Sequence, residues 1–297
     1  MAIPESQLET WSNQGAVATA QATHESIRQA LAQSARLQQW TYDPYLQGSY
    51  RNGTNIRGDS DVDLVVQLES SFGYDVSALN TQEIASFNSV YGSATYGWRE
   101  FRRDALDALV SYYGPASVKE SKCCLKVAGN SGRLPADVVV CLQYRKYLRF
   151  RDLSDQSYIE GMRFWTTDGR EVINFPTWHY DNGVRKNSDR HTDGLYKPAV
   201  RMFKNARSRL QEAGQLSASA APSYFLECTL YNVPDAQFAG SSQDVYCSVV
   251  NWLNQADMSG FVCQNEQLPL FGPTPEQWSL DQARGLVHGL AQLWNGW

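Results

Sequence analysis

The run Asp61-Val62-Asp63-Leu64-Val65-Val66 constrains this chain more than any other stretch. A short apolar run rich in β-branched residues reads as a buried strand. Alternate side chains of a strand share a face, so Asp61 and Asp63 point one way while Val62 and Leu64 point into the protein. Two carboxylates so close on a half-buried strand repel each other unless a cation sits between them. Hard oxygen ligands on a rigid element, with room for water and phosphate oxygens, suit Mg²⁺. Upstream lies the tight turn Gln47-Gly48-Ser49, and eleven residues separate Ser49 from Asp61. Each piece alone is ordinary, because Gly-Ser is a common turn and Asp-x-Asp a common strand start.

A second strand is expected at Ala136–Tyr144, with Asp137 at its head. An acid at the start of an apolar strand costs several kcal/mol if buried unpaired. Asp137 either caps a turn or pairs with Arg133, or it lies beside Asp61 and Asp63 as a third carboxylate. Three carboxylates on adjacent strands can hold two Mg²⁺ ions, with Mn²⁺ as a substitute. Gly48 lets backbone approach a phosphate, and Ser49 adds a hydroxyl donor.

Residues 5–39 follow a rough helical period and read as one long helix, or two joined near Ser12–Gly15. A helix is expected near 97–113, a weak strand in Ser117–Val127, and a hairpin over 161–173 turning at Asp168-Gly169. The stretch Asn174–Gly183 is aromatic and polar without a period, and reads as a long functional loop. Between Val184 and Arg209 stand eight basic residues against two acids. Lys197, Arg201 and Lys204 would share one face of a helix starting near Pro198, either solvated or meeting a triphosphate. Further helices are expected from Pro222, over 241–257 and over 276–295. The chain divides near residue 170 into a mixed α/β lobe (1–170) and a mainly helical lobe (171–297).

A net charge of −5 argues against a surface that coats nucleic acid, which needs a broad basic face. No apolar run approaches the ~20 residues needed to span a bilayer, and no secretory signal is visible. Six cysteines without metal-ligand spacing read as reduced thiols of a cytoplasmic protein.

Gly48-Ser49 followed by Asp61-Val62-Asp63 resembles the signature of the polymerase-β-like nucleotidyltransferases. The wording from Gly48 to Leu64 is similar to the bacterial cGAS/DncV-like nucleotidyltransferases, the CD-NTases. The resemblance runs from about Tyr45 to Glu227. It implies an α+β fold: a mixed sheet flanked by helices, a helical second lobe that closes the nucleotide site, and a long N-terminal helix bracing both. It implies that Asp61, Asp63 and Asp137 are the catalytic, metal-binding carboxylates and that Gln47, Gly48 and Ser49 bind nucleotide. It further implies that Lys204 and Ser223 hold the triphosphate and that Tyr224 stacks on a base, although an arbitrary Tyr there would be a core aromatic. Asn174 is the candidate reader of a base edge. The activity implied is condensation of nucleoside triphosphates into a cyclic di- or trinucleotide second messenger, in antiphage signalling. The product, not the protein, would bind the downstream effector. A monomer is expected, with no double-stranded DNA and no membrane as partner. The alternatives are a linear oligonucleotide or RNA-tailing transferase and a small-molecule nucleotidyltransferase such as an antibiotic-modifying enzyme.

Overall fold

Residues 2–57 and 61–297 are described by a computed structural model. Gly58, Asp59 and Ser60, inside the motif stretch, lie outside the described residues. In chain order the elements are α1 (Glu5–Ser12), α2 (Ala18–Ala32), β1 (Tyr42–Leu46), α3 (Gly48–Asn52), β2 (Val62–Asp75), α4 (Thr81–Val90) and α5 (Trp98–Tyr113). Then come β3 (Val118–Glu120), β4 (Leu125–Val127), β5 (Ala136–Phe150), β6 (Gln156–Trp165) and β7 (Glu171–Asn174). Then follow the α-helices α6 (Pro176–Lys186), α7 (Tyr196–Glu212), α8 (Ser223–Tyr231), α9 (Ser242–Gln255) and α10 (Leu280–Asn295), with short 3-10 turns at Asp235–Gln237 and Met258–Gly260.

Two compact units emerge, and the chain enters each more than once. Residues 16–50 and 61–177 make the sheet unit, and residues 2–15, 51–57 and 178–297 make the helical unit. The grouping differs from a single division near residue 170: the first helix and the segment after Tyr50 go with the helical unit.

In the sheet unit, β2 and β5 are parallel neighbours at the centre, with β1 antiparallel on the far side of β2. Along the other side of β5 run β4 and then β6, both antiparallel. Val62, Leu64, Val66, Val138 and Val140 point to one face and pack with Phe101, Leu109, Ile27 and Leu31 of α5 and α2. Each such side chain contributes about 1.5–3 kcal/mol on burial. This alternation leaves Asp61 and Asp63 exposed between buried neighbours, as the sequence pattern requires. The Asp168-Gly169 hairpin is present, with Gly169 at φ +85°. The strand β1 is an addition to the sequence expectation, and it carries Pro44 in its middle. Pro44 is tolerated here because among the described residues β1 pairs with β2 alone and is an edge strand.

In the helical unit, α1 packs on α7 and α9, while α7 packs on α8 and α10. The N-terminal stretch is two helices joined by the Ser12–Gly15 region, the second of the two expected forms, rather than one long helix. The break falls at Asn13, which is extended. It is pinned at Gly15, whose amide donates to the Asn55 carbonyl at 3.0 Å. A Cβ at Gly15 would lie 2.7 Å from the Ile56 oxygen, so only glycine lets these segments meet.

The expected loop at Asn174–Gly183 is instead mostly helix α6, which begins at Pro176 and ends with Arg185 and Lys186 in its last turn. Proline suits a first helical position and basic residues suit a last turn. The period was hidden because the buried face of α6 is polar: His179, Asn182 and Lys186.

Candidate active site

Asp63 and Asp137 are direct partners in the parallel register of β2 and β5. Parallel partners project to the same face, so the two carboxylates stand side by side. Asp61 sits one residue ahead of β2 on the same side by alternation. On its other flank Asp137 is the register partner of Lys126 in β4, and Lys126 Nζ donates to Asp137 Oδ2 at 3.1 Å. The hydrogen bond and charge of Asp137 raise the Lys126 pKa, and the charge of Asp61 adds to this. The carboxylate edge has thus drawn an ammonium to itself, which is how a local excess of negative charge behaves. Arg133 does not pair with Asp137. Its Nη2 donates to the Ala128 carbonyl at 2.6 Å, and its guanidinium lies over Tyr113.

The Gly-Ser turn meets this edge directly. The Gln47 amide donates to the Asp63 carbonyl at 2.9 Å. Gly48 takes φ +66°, and a Cβ there would lie 2.3 Å from Asp63 Oδ2. Gln47 Oε1 is buried with no hydrogen-bond partner among the described residues. Ser49 follows, half-buried, on the short helix α3. Asn174 closes β7 opposite Met162, and its Oδ1 accepts from the Phe175 amide at 2.8 Å, turning the chain toward α6.

Among the described residues, no three His, Cys, Asp or Glu side chains form a ready metal cage. The donor set nonetheless suits a hard divalent cation: carboxylates on one face, two of them register partners, with a positive charge already attracted. A cavity of about 800 Å³ lined by Trp98, Arg102 and Trp165 lies elsewhere, against α5, and contains none of these residues.

In the helical unit, Lys197, Arg201 and Lys204 do share one face of α7, but that face turns toward backbone carbonyls. Arg201 Nε donates to the Ser12 carbonyl at 2.6 Å and Nη1 to the Gly53 carbonyl at 2.5 Å. Lys197 Nζ lies 5.5 Å from the Tyr180 ring centre, and burial lowers its pKa. Lys204, expected on a triphosphate, is only 1% exposed and its Nζ donates to the Thr54 carbonyl at 2.9 Å. The carbonyls of a turn that follows a helix need donors, and this basic face supplies them.

Ser223 and Tyr224 open α8. Ser223 Oγ accepts from Arg207 Nη1 at 3.1 Å. Tyr224 is half-buried and stacks on His179, with ring centres 5.3 Å apart and planes 21° from parallel.

Two residues of this cluster escaped sequence reading. Glu227 is buried, and its Oε1 accepts from Asn52 Nδ2 at 3.1 Å while Oε2 accepts from Thr54 Oγ1 at 2.9 Å. His179 Nε2 lies 3.2 Å from Oε1 of the same carboxylate. Desolvation raises the Glu227 pKa, yet the hydrogen bond of His179, with help from Lys204 and Thr54, holds it below the usual carboxylate range. A signal was available: Glu227 interrupts the apolar run Phe225-Leu226-Glu227-Cys228, and a buried acid there needs partners.

Residues 27–155 match a family model described as a nucleotidyltransferase domain. Residues 181–295 match the cGAS/DncV-like nucleotidyltransferase C-terminal helical domain. A cyclic UMP-AMP synthase of Rhodothermus marinus is 51% identical, over 100% of this chain and 99% of its own length. The cyclic nucleotide synthase CdnE01 of Staphylococcus haemolyticus is 38% identical over the whole of both chains. The solved structure of Rhodothermus marinus CdnE c-UMP-AMP synthase with Apcpp and Upnpp superposes with a TM-score of 0.89 at 50% identity, covering 99% of this chain and 97% of that one. End-to-end identity with these relatives and a match to both family domains establish that the chain belongs to the cGAS/DncV-like nucleotidyltransferases.

Proposed function

We propose that this nucleotidyltransferase condenses two nucleoside triphosphates, one of uridine and one of adenosine, into a cyclic dinucleotide. The observation that carries the reading is the pairing of Asp63 with Asp137 across β2 and β5, with the Gly48 backbone against the Asp63 carboxylate. The choice of bases is supported by the 51% identity with a cyclic UMP-AMP synthase.

Asp61, Asp63 and Asp137 would hold two Mg²⁺ ions, or Mn²⁺ in their place. Bound there, the metal would supply a lower pKa for the attacking ribose hydroxyl and would offset charge on the triphosphate and the leaving pyrophosphate. Gln47, Gly48 and Ser49 orient the phosphates, with Gly48 providing close backbone approach. Tyr224 stacks on a base, Ser223 donates toward phosphate, and Asn174 reads a base edge. Lys204 acts at one remove, by fixing the Thr54 carbonyl. In each of two transfers a ribose hydroxyl bonds to the α-phosphorus of a triphosphate and the bond to pyrophosphate breaks. The second transfer joins the linear intermediate to itself, so one ring and two pyrophosphates are formed.

The product would act on a separate effector in antiphage signalling. The enzyme would work as a cytoplasmic monomer that needs no double-stranded DNA. No helix of the described residues is long and apolar enough to cross a membrane.

The test is incubation of the protein with four labelled triphosphates and Mg²⁺ or Mn²⁺, then phosphatase digestion and mass spectrometry. A phosphatase-resistant product with the mass of one uridine and one adenosine monophosphate joined in a ring is expected. A phosphatase-sensitive ladder of linear oligomers would overturn the reading in favour of a linear transferase.

A further inference from the structure

Tyr224 and Glu227 lie three residues apart on α8, so their side chains leave the helix on the same face. His179, from α6, is keyed to both. Its ring stacks on Tyr224 and its Nε2 meets the Glu227 carboxylate at 3.2 Å. An ionised carboxylate can only accept, so Nε2 carries a proton and donates. His179 is 6% exposed, and its Nδ1 is buried with no hydrogen-bond partner among the described residues. The main chain of His179 is held as well: its carbonyl accepts from Gln264 Nε2 at 2.7 Å. Glu227 in turn is fixed by Asn52 and Thr54, and Thr54 by Lys204. One buried carboxylate therefore ties together the start of α8, the middle of α6 and the turn that follows the Gly-Ser motif helix.

We infer that His179 and Glu227 are positioning residues of the nucleotide site: Glu227 sets the angle of the His179 ring, and that ring sets the plane on which Tyr224 presents itself to a base. The inference rests on the assignment of Tyr224 as the stacking residue. A stacked aromatic is useful to a ligand only if its plane is fixed before binding, since ordering a free side chain on binding weakens affinity. An imidazole held by a charge-assisted hydrogen bond is a stiff backing plate of this kind. A packing role alone would not require a charged partner in the interior, where an isolated carboxylate is costly. The arrangement acts on the base and leaves the phosphates to other groups.

That separation makes the inference testable. KM and kcat for ATP and UTP would be measured for wild type, Tyr224→Ala, His179→Ala, His179→Phe and Glu227→Gln. The inhibition constant of inorganic tripolyphosphate, which has no base, would be measured alongside. Tyr224→Ala and His179→Ala should each raise KM for at least one triphosphate about tenfold. Both should change kcat less than twofold and leave the tripolyphosphate constant unchanged. His179→Phe restores a flat ring and should recover part of the lost affinity. Glu227→Gln keeps the shape but removes the charge, and should fall between wild type and His179→Ala. If Tyr224→Ala raises KM while His179→Ala and Glu227→Gln do not, the positioning roles are wrong and the stacking assignment stands. If Tyr224→Ala itself leaves KM unchanged, the stacking assignment falls, and the inference with it. A parallel weakening of tripolyphosphate in His179→Ala and Glu227→Gln would reduce both residues to general scaffolding and overturn the inference.

Discussion

The backbone of Gly48 approaches the Asp63 carboxylate so closely that a methyl group at Gly48 would lie 2.3 Å from Oδ2. Gly48→Ala must therefore push Asp63 away and also hold an alanine at φ +66°. The backbone conformation alone costs about 1–2 kcal/mol. The expected outcome is a clear loss of stability in urea and a near-complete loss of turnover. Wild-type turnover in a folded Gly48→Ala protein would detach this turn from the chemistry.

Neutralising Asp61 and Asp63 together to Asn should abolish nucleotide transfer. Stability should stay level or rise slightly, because like charges on one strand face repel. Turnover and thermal melts of the double variant check both halves. Chelation of divalent metal with EDTA should likewise stop the wild-type reaction, and Mn²⁺ should restore it. Asp137→Asn should resemble the double variant in activity, and it also removes the partner of Lys126.

Lys204→Ala leaves the Thr54 carbonyl without its donor and deprives Glu227 of a nearby positive charge. A buried group left unsatisfied costs about 1–3 kcal/mol. Lys204→Ala should therefore lower the melting temperature and raise KM for the donor triphosphate. A rise in KM without any loss of stability would instead favour direct phosphate contact.

Asn174→Ser shortens the side chain at the end of β7 and weakens the bond that starts the turn into α6. Single and paired triphosphates supplied to this variant should give an altered base profile. The same product distribution as wild type would remove Asn174 as a base reader.

Asp235 accepts from Lys186 Nζ at 2.9 Å and pairs with His191 Nδ1 at 2.7 Å. Desolvation raises its pKa, but hydrogen bonds from Lys186 and His191 hold it below the ordinary carboxylate range. A carboxyl with a depressed folded pKa stabilises the fold above its unfolded pKa, near ~3.9, and the contribution is lost as pH falls through the folded value. The Asp235 side chain is 38% exposed, so solvent screens the pair, and Asp235→Asn should cost about 1 kcal/mol or less at pH 7 although it leaves the buried Lys186 without a counter-charge. Below about pH 4 the gap from wild type should narrow. Urea titrations at neutral and acid pH measure this gap.

Much of this structure was legible because its signals are local. Asp61 and Asp63 announce a strand face by alternation, and Asp137 does the same at the head of β5. The Asp168-Gly169 turn and the spans of α9 and α10 follow from familiar residue chemistry. What could not be read depends on partners distant in sequence. The polar residues of α6 look like a loop until Glu227, Gln264 and Asp235 are seen to satisfy His179, Asn182 and Lys186. The basic face of α7 is legible as a face, but the carbonyls of Ser12, Gly53 and Thr54 that it meets are distant in sequence. Pattern reading assigns faces, but it does not reveal what a face meets.

The pairing of Asp63 with Asp137 is kept by side chains on the opposite face of the sheet, packed in the core. A slip of one residue between β2 and β5 would send Val138 toward the carboxylate side and drive Asp137 into the apolar packing against α5. Val62, Leu64, Val138 and Val140 therefore act as a ruler for the chemistry, and their interdigitation sets a tolerance for it. Enlarging or trimming these aliphatic residues should degrade catalysis before it unfolds the protein. In a laboratory selection for activity, a defect of that kind should be rescued from within the core sooner than from the acidic edge it serves.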